Sequence, residues 1–279
     1  MEFGASIFFT DYSISPAELG VALEERGFDS VWAAEHSHIP VPRRTRADQE
    51  LGKRYYDVMD PFVTLTAVAC ATKRLKIATG ICLVIQRDTI QTAKLVASID
   101  QVSGGRFLFG IGGGWNQEEI ENHATVFTTR MQKMREQIEA MKAIWTEDTP
   151  KYQGEIVKFD TLQTWPKPVQ KPHPPVILGG AFPWAARRAV RYGDGWYPNA
   201  ASGNPEEYMP AFRKMAQEAG RDPDALPVTI GGAPDNADAL KRFRDLGVAR
   251  VNVSLMSETR DQLLPILDRW AGYIRQLRG

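Results

Sequence analysis

The chain has 279 residues, 43% of them hydrophobic and 24% charged, which is enough to bury a large core. Thirty-four basic residues balance thirty-four acidic ones, so no net field attracts nucleic acid or an anionic membrane surface, and small-molecule chemistry fits that neutrality better. Only two cysteines occur, Cys70 and Cys82; they fall in segments that read as a buried helix and strand, so reduced core thiols are expected instead of a disulfide framework or metal site.

Residues 1–13 lack the basic start and long apolar run of a secretion signal. No segment approaches the roughly 20 apolar residues of a membrane span, and a cytoplasmic location is expected. Residues 2–9 form a short β-rich run. Ser15, Pro16 and Glu18 then supply an N-cap, a first-turn proline and a capping-box carboxylate, opening a helix that ends at Gly27. Residues 30–34 read as the second strand, 60–72 as the second helix, 76–84 as the third strand and 88–103 as the third helix, stopped by Gly104 and Gly105. The fourth strand spans 106–112, and 131–146 is an amphipathic helix. Shorter strands follow at 176–179, 195–197, 228–231 and 250–254, alternating with helices at 183–192, 205–219, 237–246 and 261–277.

Eight β/α pairs without a composition break predict an α/β protein whose residues 1–279 form a single (β/α)8 TIM barrel, in preference to an open doubly wound sheet. Two connections exceed ordinary loops. Residues 35–59, after strand two, carry PRRTRA and the pair Tyr55–Tyr56; residues 147–175, before strand five, are proline-rich with a candidate hairpin around Gly154. The first belongs to the C-terminal face, where barrel enzymes keep their sites; the second starts at the opposite end.

Glu35 and His36 end strand two, where His36 could move protons near neutral pH or simply be hydrogen-bonded in a loop. Arg43, Arg44 and Arg46 could bind an anion or be solvated. Within strand three, the glycine of Thr79–Gly80–Ile81 marks a bulge or a close approach to a ligand. The run GIGGGWNQEE at 110–119 is not a dinucleotide fingerprint: its spacing is Gly110-x-Gly112-x-Gly114, it follows the fourth strand, and the next helix is expected only near Met131. Gly179, Gly180 and Ala181 precede Pro183 at a helix start, a natural phosphate site. Trp115, Phe182, Trp184, Trp196 and Tyr197 could wall an apolar pocket. HExxH, paired CxxC and GxSxG motifs are all missing, and no metal is expected.

Taken in order, these stretches resemble the luciferase-like monooxygenase superfamily of flavin and deazaflavin barrels. The motifs are FDSVWAAEH, DPFVTLTAVACATKRLKIATG, VSGGRFLFGIGGGWNQEE, PVILGGA, YGDGWYP and DLGVARVNVSL with LLPILDRWA, and they run over nearly the whole chain. The stretch HIPVPRR through KIATG resembles an actinobacterial-type branch described as probable F420-dependent oxidoreductases. That resemblance implies a cofactor across the barrel mouth, its ring on a strand-three bulge that maps to Thr79, Gly80 and Ile81, with Leu83 following, and often carries a non-prolyl cis peptide. It puts Gly112, Gly113 and Gly114 beside the cofactor and Gly179, Gly180 and Ala181 on its phosphate; Trp196, from its place at a strand end, is expected to line the same site. His36 and Glu35 match the catalytic pair of deazaflavin-dependent sugar-phosphate dehydrogenases. Where those enzymes carry a glutamate after the glycines, this chain has Trp115, which argues against that reaction, and Glu118 is expected to order the loop.

The implied function is hydride transfer between F420 and a small organic substrate, in a homodimer with a separate F420- or flavin-reducing partner. The alternatives are an FMN-dependent monooxygenase using oxygen and a partner reductase, or a non-catalytic flavin-binding barrel. A non-redox aldolase or isomerase barrel would need lysine or carboxylate bases at strand ends that here are mostly glycine, alanine and aromatic.

Overall fold

A computed structural model describes residues 1–278. Strand β1 (Glu2–Ile7) leads to helix α1 (Pro16–Glu25), in which Ser15 and Glu18 form the expected capping box, the Glu18 amide and carboxylate both meeting the Ser15 hydroxyl. Next come β2 (Ser30–Ala33), α2 (Pro61–Ala71), β3 (Lys76–Thr79), α3 (Thr89–Ser103) and β4 (Phe107–Ile111). Asp60 and Asp88 cap α2 and α3 by accepting from backbone amides of each first turn. The short helix α4 (Gln117–Asn122) and the long α5 (Arg130–Thr146) follow, then a two-stranded hairpin, β5 (Tyr152–Gln153) with β6 (Lys158–Phe159). The remaining units are β7 (Val176–Gly179), α6 (Trp184–Tyr192), β8 (Gly195–Tyr197), α7 (Pro205–Glu218), β9 (Thr229–Gly231), α8 (Ala237–Asp245), β10 (Arg250–Ser254) and α9 (Arg260–Arg278).

Eight parallel strands run in the order β8-β7-β4-β3-β2-β1-β10-β9. Bridges from Trp196 to Val228 and from Asn199 to Gly231 join the two ends, so the sheet closes into the predicted (β/α)8 barrel. The main core lies between sheet and helices. A second cluster, Trp32, Ala78, Leu108 and Ile177 with Tyr197 against it, fills the barrel interior. Trp32 is its plug: its ring packs 4.8 Å from that of Tyr197 and its indole donates to the Ser30 hydroxyl at 3.0 Å.

Three local expectations change. Strand three is shorter than residues 76–84: β3 ends at Thr79, the Gly80–Ile81 peptide is cis, and the chain turns through a single helical turn at Val84–Gln86. Helix α4 falls in the stretch expected to be loop before Met131; with six polar-rich residues it has no apolar periodicity to announce it. Cys70 is exposed on α2, whereas Cys82 is buried, with burial pushing its thiol pKa up; α2 is apolar around most of its circumference, which hides its outer face in the sequence.

The two long connections part company. Residues 147–175 wrap the outside of α3 and α5. Glu136 accepts from the amides of Ile156 and Val157 at 2.8 and 3.0 Å, and Gln170 donates to Asp100 and to the Phe107 carbonyl at 2.7 Å. Residues 35–59 instead cover the mouth.

Candidate active site

The C-terminal mouth of the barrel holds a cavity of about 380 Å³, the size of a small cofactor site. Its walls are Gly80–Ile81, Gly112–Trp115, Gly179–Gly180, Met131, Arg188 and the β8 end from Tyr197 to Asn199. The glycines have a packing cause. A Cβ on Gly112 would lie 2.6 Å from Ile81 Cδ1, one on Gly179 would lie 2.8 Å from Ile81 Cγ2, and one on Gly113 would meet Met131 at 2.5 Å. The Ile81 side chain thus occupies the space that side chains on β4 and β7 would need. Gly180, at φ 127°, sits where only glycine is comfortable.

Beneath this wall the backbone is clamped by buried polar groups. Thr79 Oγ1 donates to the Gly110 carbonyl at 2.6 Å, tying β3 to β4. Glu35 accepts from the Leu83 amide at 2.6 Å and from Arg87 Nε at 2.7 Å, and Arg87 reaches on to Asp60, the cap of α2. Glu35, Thr79 and Leu83 therefore hold the floor in place without lining the cavity. Trp196 also lies off the cavity: its ring is fully buried among Phe182, Tyr208 and Phe212, and its indole donates to the Gly180 carbonyl at 2.9 Å. Its neighbour Tyr197 faces the cavity, because successive strand side chains point to opposite sides of the sheet. At the phosphate turn, the Gly180 amide is spent on the Tyr197 carbonyl at 3.1 Å, and Ala181 is exposed outside the cavity wall.

His36 sits one layer back. Its ring lies among Phe8, Tyr55 and Trp115, and of these Trp115 lines the cavity. Its Nδ1 is 2.8 Å from Glu119 Oε2, and Glu119 also accepts from the Ser37 amide at 2.9 Å. Burial would raise the Glu119 pKa, but the hydrogen bonds from His36 and Ser37 outweigh it and hold the carboxyl below its usual range. A carboxylate at Nδ1 suits the tautomer that carries its proton there. Sequence reading passed over Glu119 because its partner is 83 positions away.

The loop arginines are engaged internally. Glu118 accepts from the amides of Arg44 and Thr45 and from Thr45 Oγ1, which orders the loop as expected. Burial opposes its charge, yet these bonds bring its pKa down to about 2. Arg43 caps carbonyls of its own loop, and Arg46 stacks 5.0 Å from the Trp115 ring centre.

A different set of arginines faces open space. A groove of about 390 Å³ between α5 and α6 shares Met131 and Arg188 with the mouth cavity and carries Arg135, Arg187, Arg188 and Arg191. Arg188 makes no ion pair among the described residues, and burial pushes its pKa down. Arg188 Nε, Arg135 Nε and Tyr192 Oη are buried without hydrogen-bond partners, although Arg135 Nε lies 3.8 Å from a Glu139 carboxylate oxygen. Such orphan donors are rare inside proteins and mark a place for an acceptor. Three of these arginines fall within positions 187–191 of α6, but the fourth comes from α5, and only the fold brings them to one groove.

Comparison with known proteins agrees with this fold. The profile of the family described as luciferase-like monooxygenase matches residues 15–248. An uncharacterised protein of Mycobacterium tuberculosis is 35% identical over 97% of this chain and 98% of its own length. The F420-dependent hydroxymycolic acid dehydrogenase of the same organism is 28% identical over 78% of this chain and 57% of that protein. Among solved structures, the monooxygenase RslO1 from Streptomyces bottropensis superposes with a TM-score of 0.84 at 18% identity, each chain covered in full, a likeness of fold.

Proposed function

The chain belongs to the luciferase-like monooxygenase family, and from that premise we propose that this oxidoreductase transfers a hydride between coenzyme F420 and a small organic substrate. When bound, the deazaflavin supplies a two-electron carrier that exchanges hydride at C5, and the protein supplies position and charge. Gly80, Ile81 and Gly112–Gly114 would hold the ring, and Gly179–Gly180 the chain leading to the phosphate, with Thr79, Leu83, Glu35 and Trp196 keeping those backbones in register. Ala181 would stand at the outer edge of the phosphate turn. His36, fixed by Glu119, is the group that gives or takes the proton, through a shift of Trp115 or a water beside it.

The arginine groove carries the choice of cofactor. Four guanidiniums and three unpartnered buried polar atoms open from the ring cavity, more cationic capacity than the single phosphate of FMN requires. F420, with a phosphodiester and a carboxylate-bearing tail, matches it. The F420-dependent relative supports the same reading. On this reading the enzyme works in the cytoplasm as a homodimer, served by a separate cofactor-reducing enzyme.

The test is a fluorescence titration of the purified protein with F420 and with FMN. Sub-micromolar F420 binding is expected, with FMN at least tenfold weaker. Tight FMN binding without F420 binding would overturn the deazaflavin and leave the monooxygenase alternative.

A further inference from the structure

A second chamber of about 220 Å³ opens beside the ring cavity and shares Gly80, Tyr197 and Asn199 with it. Building on the proposed seat of the cofactor ring, we infer that this chamber receives the substrate and that Arg54 selects a small organic acid by its carboxylate.

The chamber is polar for a space inside a barrel mouth. Ser6 and Ser254 bring two hydroxyls 3.4 Å apart, and Tyr197, Asn199 and Arg54 complete its polar walls. Arg54 is half-buried and pairs with no carboxylate among the described residues. Its Nη1 donates only to Met256 Sδ, at 2.9 Å, a weak acceptor. Phe8 and Tyr55, whose rings lie 4.9 Å apart, are 5.2 and 5.7 Å from its guanidinium carbon. Arg54 also lines an outer cleft with Met256, Glu50 and Glu258, and it bonds to neither glutamate.

Withdrawing a guanidinium from water costs free energy that an anion in bidentate contact returns. Set against a pair of rings and engaged only by a thioether, Arg54 is suited to that contact. A carboxylate there would leave the rest of a small molecule over Gly80, against the face where the ring is proposed to lie, with the Ser6 and Ser254 hydroxyls able to bond an oxygen on it. The volume restricts the substrate to a compact molecule, below the usual span of drug-sized sites. A neutral ketone or a long acyl chain would leave Arg54 unpaired or would not fit.

The experiment is isothermal titration of the protein with lactate, 3-hydroxybutyrate and benzoate, each against its amide. At least one acid is expected to bind tenfold or more tighter than its amide. That preference should drop below twofold in Arg54→Met and return in part in Arg54→Lys; if Arg54→Met fails to fold, as read by its melting temperature, Arg54→Gln takes its place. The inference is overturned if no acid is preferred, if the preference survives removal of Arg54, or if Arg188→Met abolishes it instead, which would move the acid to the groove. The separate F420 titration tells the two readings apart: loss of F420 binding with the acid preference intact would fault the cofactor and leave Arg54 standing.

Discussion

Two groups of arginines flank the barrel mouth, and they are opposite in kind. Arg43, Arg44 and Arg46 crowd into four positions of sequence, yet each is committed: to loop carbonyls, to Glu118, and to the face of Trp115. Arg187, Arg188 and Arg191 on α6, almost as closely spaced, converge with Arg135 of α5 on one groove, where the buried Nε of Arg188 meets neither a hydrogen-bond acceptor nor a carboxylate among the described residues. Local density of charge reports how a loop holds itself together. An unsatisfied donor in a concave place reports what is meant to arrive.

The largest effect should follow from Arg188→Met. Losing a charge-assisted hydrogen bond costs about 1.5–3 kcal/mol, so F420 affinity measured by fluorescence quenching should fall about 10- to 100-fold. The triple change Arg43→Met, Arg44→Met, Arg46→Met should alter it by less than about threefold, since exposed, internally satisfied charges contribute little. Equal losses in the two variants would erase the distinction between the groups.

Glu118→Gln should sharpen it from the other side. Without the carboxylate that gathers the Arg44 and Thr45 amides, trypsin should cut after Arg43, Arg44 or Arg46 several-fold faster, while the melting temperature changes little. Unchanged cleavage would mean that the loop is held elsewhere.

The smallest effect is in acid. The folded pKa of Glu118, about 2, lies below the ordinary 4.5. Its contribution is therefore complete above pH 4.5 and is lost as the pH falls from there towards 2. Glu119, also lowered, acts in the same direction. Hydrogen exchange over residues 40–50 should accelerate in that window in the wild type and be nearly independent of pH there in Glu118→Gln, after correction for intrinsic rates. A wild-type loop that stays protected at pH 3 would refute the clamp.

The fold was legible wherever structure depends on neighbours in sequence. Capping residues at Ser15, Asp60 and Asp88, glycine stops and alternating periodicity located eight β/α units to within a few residues. The glycines of GIGGGWNQEE and PVILGGA were legible as places where backbone must be bare. Their cause was not: Gly112 and Gly179 make room for Ile81, just past β3, and Gly113 makes room for Met131 of α5. Trp196 shows the reverse difficulty. An aromatic at a strand end near the mouth looks like a cofactor wall, but strand alternation sends it outward into the α7 layer and turns Tyr197 inward.

By itself, then, the amino-acid order determined an α/β barrel and the family to which the chain belongs. Those follow from period, capping and backbone bareness, which are properties of short stretches. Tertiary structure alone decided that Glu119 partners His36, that Glu35 clamps Leu83 and Arg87, and that neither Arg54 nor Arg188 meets a carboxylate among the described residues. Whether a charge is spent or free depends on what faces it across the fold, and closing the barrel is what brings those faces together.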